Sequence, residues 1–455
     1  MSIDRAVNSS RAVNNGRARP GARAGRTTSA WAILSAAALL LAGCAGDDQN
    51  ASSTTTTEST RAESTTDGTR DPSAPPWADR LTGYFEADDG TELHYSVLLP
   101  EGDGPHPVVM NYSGYDAGSI GGASYLKGDT AMSPPLDTLL LEAGYAVLGV
   151  NMRGTGCSDG GGFDLFSPYW GTDGADAIEW AAQQEWSDGS IGMANWSYAG
   201  IGQLFAAVEQ PEHLKAIVPG MVVTDPLRDV GSPGGVPNVL FPNGWWLFIQ
   251  ENWEYARATA QDEGDQRCIE RIDEHLGLSE NTSPPAMQAQ HPFHDEFNES
   301  RLLWTRTDRI DVPVLSIEAW QDGATGVRGG YYQDTLDPQR LWYVGTNGGH
   351  DIYESRTWQE HLIRFLDHFV KGEDNGFDDE PHVQLWQDST GPGAPLPQYA
   401  QLTEAEPGWV IPVDRFAPEV EATTLWLGPD GSWATHRPAT VATRPATRSR
   451  SRGPR

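Results

Sequence analysis

A serine, an aspartate and a histidine appear in this chain in the order Ser197, Asp322, His350, the last two beside glycines that let the backbone turn. A serine hydroxyl is a poor nucleophile until a histidine takes its proton, and that histidine needs a carboxylate to fix its tautomer and stabilise the imidazolium. The three residue types together therefore point to acyl transfer through a covalent serine intermediate. Ser197 lies in Gly192-Met193-Ala194-Asn195-Trp196-Ser197-Tyr198-Ala199-Gly200, between a strand-like stretch at Ile191 and a helix-like one from Ile201 to Gln210. A sharp strand-to-helix turn there would lift Oγ clear of the backbone and aim the positive end of the helix at a developing oxyanion. The backbone N–H of Tyr198, the residue after the nucleophile, is the first oxyanion donor expected, and Ser113-Gly114-Tyr115-Asp116 offers the Tyr115 phenol as a second.

The elements that would position these groups can be read from periodicity. Strand-like runs at 91–99, 107–112, 145–150, 216–218, 312–317 and 341–344 alternate with helical patterns at 136–143, 173–185 and 358–370, which predicts βαβ units around a mostly parallel sheet. Asp322 in Trp320-Gln321-Asp322-Gly323 and His350 in Asn347-Gly348-Gly349-His350 each follow one of these strands. Residues 225–305 interrupt the pattern with a Trp-, Gly- and Pro-rich segment, expected to form a cap over the carboxyl ends of the strands. Trp245, Trp246 and Trp253 of that segment either line an acyl pocket or pack the cap. After residue 376 short β-like pieces at 381–386, 409–412 and 423–427 read as the start of a β-sandwich, residues 377–433, followed by a basic tail, 434–455, with the character of a disordered or frameshifted end.

Composition sets further bounds. The formal net charge is −32 at pH 7, and residues 44–455 alone hold 25 Lys and Arg against 62 Asp and Glu, so a nucleic-acid partner is not expected. Residues 1–43 combine a basic start, an apolar run from Trp31 to Leu41, and Leu41-Ala42-Gly43 before Cys44. That is the pattern of a lipoprotein signal peptide, with Cys44 as the lipidation site and residues 44–75 as a Ser/Thr-rich tether. The expected location is therefore outside the cell membrane, anchored to it by lipid. In such an oxidising setting the two remaining cysteines, Cys157 and Cys268, are expected to form a disulfide.

Several specific stretches, Ser113-Gly114-Tyr115, Arg153-Gly154-Thr155-Gly156-Cys157-Ser158, Trp196-Ser197-Tyr198-Ala199-Gly200, Trp320-Gln321-Asp322 and Asn347-Gly348-Gly349-His350, resemble the cocaine-esterase-like and X-prolyl dipeptidyl-peptidase-like α/β-hydrolases. The resemblance spans residues 80–433 and departs at Asn195, where the family's Gly-x-Ser-Tyr-x-Gly motif has a small residue. It implies an α/β-hydrolase fold over residues 76–376 with an inserted helical cap, and a partial jelly-roll-like C-terminal β-sandwich. It also implies Ser197 as nucleophile, His350 as base, Asp322 as its orienting acid, and Tyr115 with the Tyr198 amide as oxyanion hole.

The expected activity is hydrolysis of a carboxylic ester or amide of a small molecule, with neither metal nor organic cofactor. Release of X-proline dipeptides and acyl transfer to an amino acceptor are the alternatives within this chemistry. A catalytically impaired surface binding lipoprotein is the alternative outside it. His291, His294, Asp295 and Glu296 form a compact cluster, but Pro292 breaks the helical face a metal site would need. Arg153 and Asp159 flank a Gly-rich turn and read as a structural ion pair or turn.

Overall fold

A computed structural model describes residues 79–115, 134–326, 328–350, 352–388, 407–413, 424–427 and 433–435. The expected signal peptide, Cys44, the tether and nearly all of the basic tail lie outside the described residues. Ten strands form one sheet: β1 (Asp79–Glu86), β2 (Glu92–Leu99), β3 (His106–Ser113), β4 (Ala146–Asn151), β5 (Ser187–Trp196), β6 (Leu214–Gly220), β7 (Val314–Ala319), β8 (Leu341–Thr346), β9 (Val383–Asp388) and β10 (Pro407–Val413). Their order is β1-β2-β4-β3-β5-β6-β7-β8-β9-β10. From β4 through β9 every neighbouring pair is parallel, while β1 and β2 at one edge and β10 at the other join antiparallel.

Side chains alternate across this sheet, as the strand period of two requires. On β3, Val108, Met110 and Tyr112 enter one core and Val109 the other; on β5, Ile191 and Met193 oppose Ala194 and Trp196. Helix α1 (Pro134–Glu142) contributes to the second core, and α2 (Tyr169–Ala182) and α3 (Ser197–Ala207) to the first. This double coverage explains why the central strands read as near-continuous apolar runs. Between β6 and β7 the chain folds into α4 (Leu240–Glu263), α5 (Gln266–Thr282), α6 (Pro284–Gln290) and α7 (Glu296–Glu299), in the segment expected as the cap. Its Trp246, Ile249 and Trp253 are buried in the same core as α2 and α3. Among the described residues no helix is long and apolar enough to cross a membrane.

Past the expected boundary at residue 376, the described strands β9 and β10 continue the central sheet. Instead of opening a β-sandwich, β9 pairs parallel with β8 and β10 pairs antiparallel with β9, so both extend the central sheet. The reason is packing: Trp386 of β9 stands beside Trp358 and His361 of α8 (Arg356–Phe369) and closes the second core. Outside the central sheet, β11 (Trp426–Leu427) and β12 (Trp433–Ala434) form a separate two-strand ladder.

Candidate active site

β5 ends at Trp196 and α3 begins at Ser197, whose φ of 58° is a left-handed value that a side chain adopts only under constraint. The turn thus holds the Ser197 side chain at the N-terminus of α3, where unpaired backbone N–H groups and the helix dipole favour negative charge. Asn195, at the place of the usual small residue, has φ 157° and is buried. Its polar groups are accommodated locally: Oδ1 accepts from the Trp196 N–H at 2.8 Å, and its carbonyl accepts from Gln203 Nε2 at 2.9 Å. Gln203 Oε1 in turn accepts from the Val218 N–H at 2.9 Å, so one buried amide ties α3 to the ends of β5 and β6. The close seat of α3 also needs Gly200, where a Cβ would stand 2.7 Å from Val222 Cγ1 and 3.0 Å from the Gly220 carbonyl.

Tyr115 follows β3, and its hydroxyl lies 3.1 Å from Ser197 Oγ. Burial pushes this phenol above its ordinary pKa, so it remains a neutral O–H donor. Gly114 lets this loop approach: a Cβ there would meet Thr155 Cγ2 at 2.6 Å and the Tyr198 hydroxyl at 2.8 Å. Two cap tryptophans also reach it, Trp253 Nε1 donating to the Gly114 carbonyl at 2.9 Å and Trp245 Nε1 to the Tyr115 hydroxyl at 3.3 Å.

The acid and base meet after β7 and β8. His350 Nδ1 and Asp322 Oδ2 are 2.7 Å apart. Asp322 Oδ1 accepts from the N–H groups of Ala324 at 2.6 Å and Thr325 at 3.0 Å, and the Thr325 hydroxyl donates to Oδ2. Burial raises the Asp322 carboxyl, but these bonds, His350 first, outweigh it and hold the pKa below the ordinary value. The Asp322 side chain is fully buried whereas His350 is 25% exposed, so the base faces outward from a sealed acid. The Gln321 N–H donates to the Gly348 carbonyl at 3.1 Å, joining the two loops.

Ser197, Tyr198 and Thr325 line one cavity of about 870 Å³, counting its open mouth. Its walls are largely apolar, with Phe166, Leu227, Phe241, Trp245 and Met287 among them, and Arg301 is the one permanently charged lining group among the described residues. Arg301 is already paired with Asp164 at 2.7 Å and lies 3.5 Å over the Phe297 ring.

The structure therefore brings Ser197 to Tyr115 and Asp322 to His350, and the two pairs share the cavity wall through Thr325. Among the described residues no hydrogen bond joins Ser197 to His350. Cys157 and Cys268 form a disulfide that joins the turn after β4 to α5. Of the alternatives for the cap tryptophans, Trp245 lines the cavity while Trp246 and Trp253 pack. Arg153 pairs with Asp173 and Asp89 instead of Asp159, which faces Arg271 at 3.6 Å. His291 pairs with Asp295 and His294 faces Asp225, and among the described residues no cluster of His, Cys, Asp or Glu is arranged to hold a metal ion. Sequence reasoning missed Gln203, which carries no local signal, and Thr325, whose position three residues after Asp322 suits a side-chain turn.

Residues 89–350 match the family described as X-Pro dipeptidyl-peptidase (S15 family). The chain is similar to cocaine esterase of Rhodococcus sp. (strain MB1 Bresler), 30% identical over 260 residues that cover 52% of this chain and 43% of that protein. Among solved structures, a CocE/NonD family hydrolase from Staphylococcus aureus aligns with TM-score 0.58 at 24% identity, covering 77% of this chain and 58% of that one. An aminopeptidase from a marine sediment Thaumarchaeota archaeon aligns with TM-score 0.59 at 18% identity, covering 83% and 66%. The chain spans about half the length of the curated relatives it matches.

Proposed function

The chain belongs to the X-Pro dipeptidyl-peptidase (S15) family, and from that premise we propose that it is an exported serine hydrolase cleaving carboxylic esters through an acyl-enzyme on Ser197. The observation that carries the reading is the Tyr115 hydroxyl 3.1 Å from Ser197 Oγ at a strained strand-to-helix turn. In the proposed cycle His350, oriented through Nδ1 by Asp322, takes the Ser197 proton on Nε2 as Oγ attacks the substrate carbonyl. The oxygen that becomes negative meets the Tyr115 O–H and the Tyr198 N–H. Collapse expels the alcohol with the proton from His350, and water then releases the acid by the same steps in reverse. The Ser197–His350 hydrogen bond forms on substrate binding, as catalytic contacts of free enzymes often do.

The cavity supports an ester with an apolar group over a dipeptide. The free amine of an X-proline substrate calls for a carboxylate, and none lines the cavity among the described residues. An ester leaving group also needs less protonation than an amine. Release of X-proline dipeptides is the second reading, favoured by the family match. The run Leu41-Ala42-Gly43-Cys44 supports lipid attachment at Cys44 on the outer face of the membrane.

The test is fluorophosphonate labelling of the full chain beside Ser197→Ala, with p-nitrophenyl acetate and an X-proline p-nitroanilide turned over in parallel. Labelling and ester turnover lost together in the variant, with no anilide cleavage, is the expected result. Anilide cleavage as the main activity would put the second reading in its place. A folded but inert parent would sink both.

A further inference from the structure

Two groups contact the Tyr115 oxygen, Trp245 Nε1 and Ser197 Oγ, and their chemistry bears on the direction of its proton. An indole N–H donates and cannot accept. Trp245 Nε1, 3.3 Å away, therefore makes the Tyr115 oxygen an acceptor on that side. The phenol's own proton is left for the remaining direction, toward Ser197 Oγ at 3.1 Å, beside which a substrate oxyanion would form. Trp245 is not part of the sheet that carries Ser197; it belongs to α4 of the cap, and the same helix grips the Tyr115 loop a second time through Trp253 Nε1 and the Gly114 carbonyl at 2.9 Å. Phe248, one turn beyond Trp245, lies edge-on to the Tyr115 ring at 6.0 Å and keeps the side chain from turning away.

We infer that Trp245 is a positioning residue of the oxyanion hole: its N–H, delivered by the cap, orients the Tyr115 hydroxyl toward the reacting centre. The cap helix then completes the catalytic geometry in addition to walling the cavity. This inference rests on the proposed function, because it acts through Tyr115 on chemistry at Ser197.

A double-mutant cycle tests it in the full chain with p-nitrophenyl acetate, whose small acyl group makes little use of the cavity wall. Trp245→Phe keeps an aromatic ring and removes the N–H, and Tyr115→Phe removes the hydroxyl it acts on. The expected result is a loss in kcat of about fivefold to tenfold for Trp245→Phe, the worth of one neutral hydrogen bond, falling to less than about twofold when Tyr115 is already Phe. Trp245→Leu is the second donor-less variant, so the cycle survives a folding failure of the first. An equal loss in both backgrounds assigns Trp245 to packing and overturns the inference alone, as does an undiminished kcat in Trp245→Phe. A Tyr115→Phe variant as fast as the parent takes the phenol out of the oxyanion hole and likewise overturns the inference alone, whereas a parent that neither labels nor turns over ester overturns the proposed function and the inference with it.

Discussion

Asp322 is held by backbone and side-chain groups two and three residues further along, at Ala324 and Thr325, whereas Tyr115 is held by Trp245, 130 residues away, and its neighbour Gly114 by Trp253, 139 away. The acid–base half of the site is a pair of self-contained turns stitched to each other at the ends of β7 and β8. In the nucleophile–oxyanion half, the Tyr115 loop takes two of its contacts from the cap. A local turn tolerates change elsewhere in the molecule, while a site assembled from distant segments reports on the whole fold. The two halves should accordingly fail in different ways.

The largest effect is expected from the self-contained half. Asp322→Asn keeps the shape of the loop but removes the charge that orients His350, and kcat on p-nitrophenyl acetate should fall by about 10⁴ with the melting temperature little changed. A loss below about tenfold would mean that Asp322 is not the acid that orients the base. In the assembled half, Tyr115→Phe leaves the Tyr198 amide in place, so kcat should drop by about 10² to 10³. Unchanged KM with this drop marks an interaction made only in the transition state, and a rise in KM alone would assign the phenol to substrate binding.

A smaller loss, about tenfold in kcat, is expected for Thr325→Val, which removes one of the bonds on Asp322 and leaves the backbone turn intact. If Thr325→Val costs as much as Asp322→Asn, the turn is less self-sufficient than the contrast requires.

Acid probes groups that belong to neither half. Burial depresses the pKa values of His94 and His361 to about 4, from an ordinary value near 6.5. Between those values the unfolded chain binds more protons than the folded one, so their contribution to stability is present above about pH 6.5 and is lost as pH falls toward 4. The urea midpoint should decline over that window, and His361→Gln should make the decline shallower. An unaltered slope in that variant would show that carboxylates alone account for the acid sensitivity.

The contrast between the halves also explains what could be read in advance. Ser197, Asp322 and His350 each stand at the end of an apolar run, a local signal, and the central strands announced themselves because both faces are buried. β1 was not anticipated: only Phe85 of Asp79–Glu86 is fully buried, so the edge strand has no apolar run to read. β9 and β10 had a strand signal, but their partners are chosen by the fit of Trp386 against Trp358, which no spacing encodes. Gln203 was illegible as a site residue for the same reason, and Trp245, read as lining a pocket or packing the cap, gave no sign of its Tyr115 partner, since the fold brings these partners together. Asn195 was read as a departure from the motif; the Trp196 N–H supplies the partner its side chain needs at that turn.

The Cys157–Cys268 bridge has a consequence for traffic into the cavity. It fastens α5 to the turn after β4, and Arg271 reinforces the same attachment by donating to the Cys157 carbonyl at 3.1 Å, while its pair with Glu92 at 2.7 Å ties α5 to β2. With that end tied down, the insertion cannot lift away from the sheet as a body. The stretch 231–242 is placed differently: Gly231, Phe241 and Pro242 border the cavity, and Val236, Val239 and Leu240 face solvent. Oxidation state thereby governs whether α5 is covalently fastened to the turn after β4.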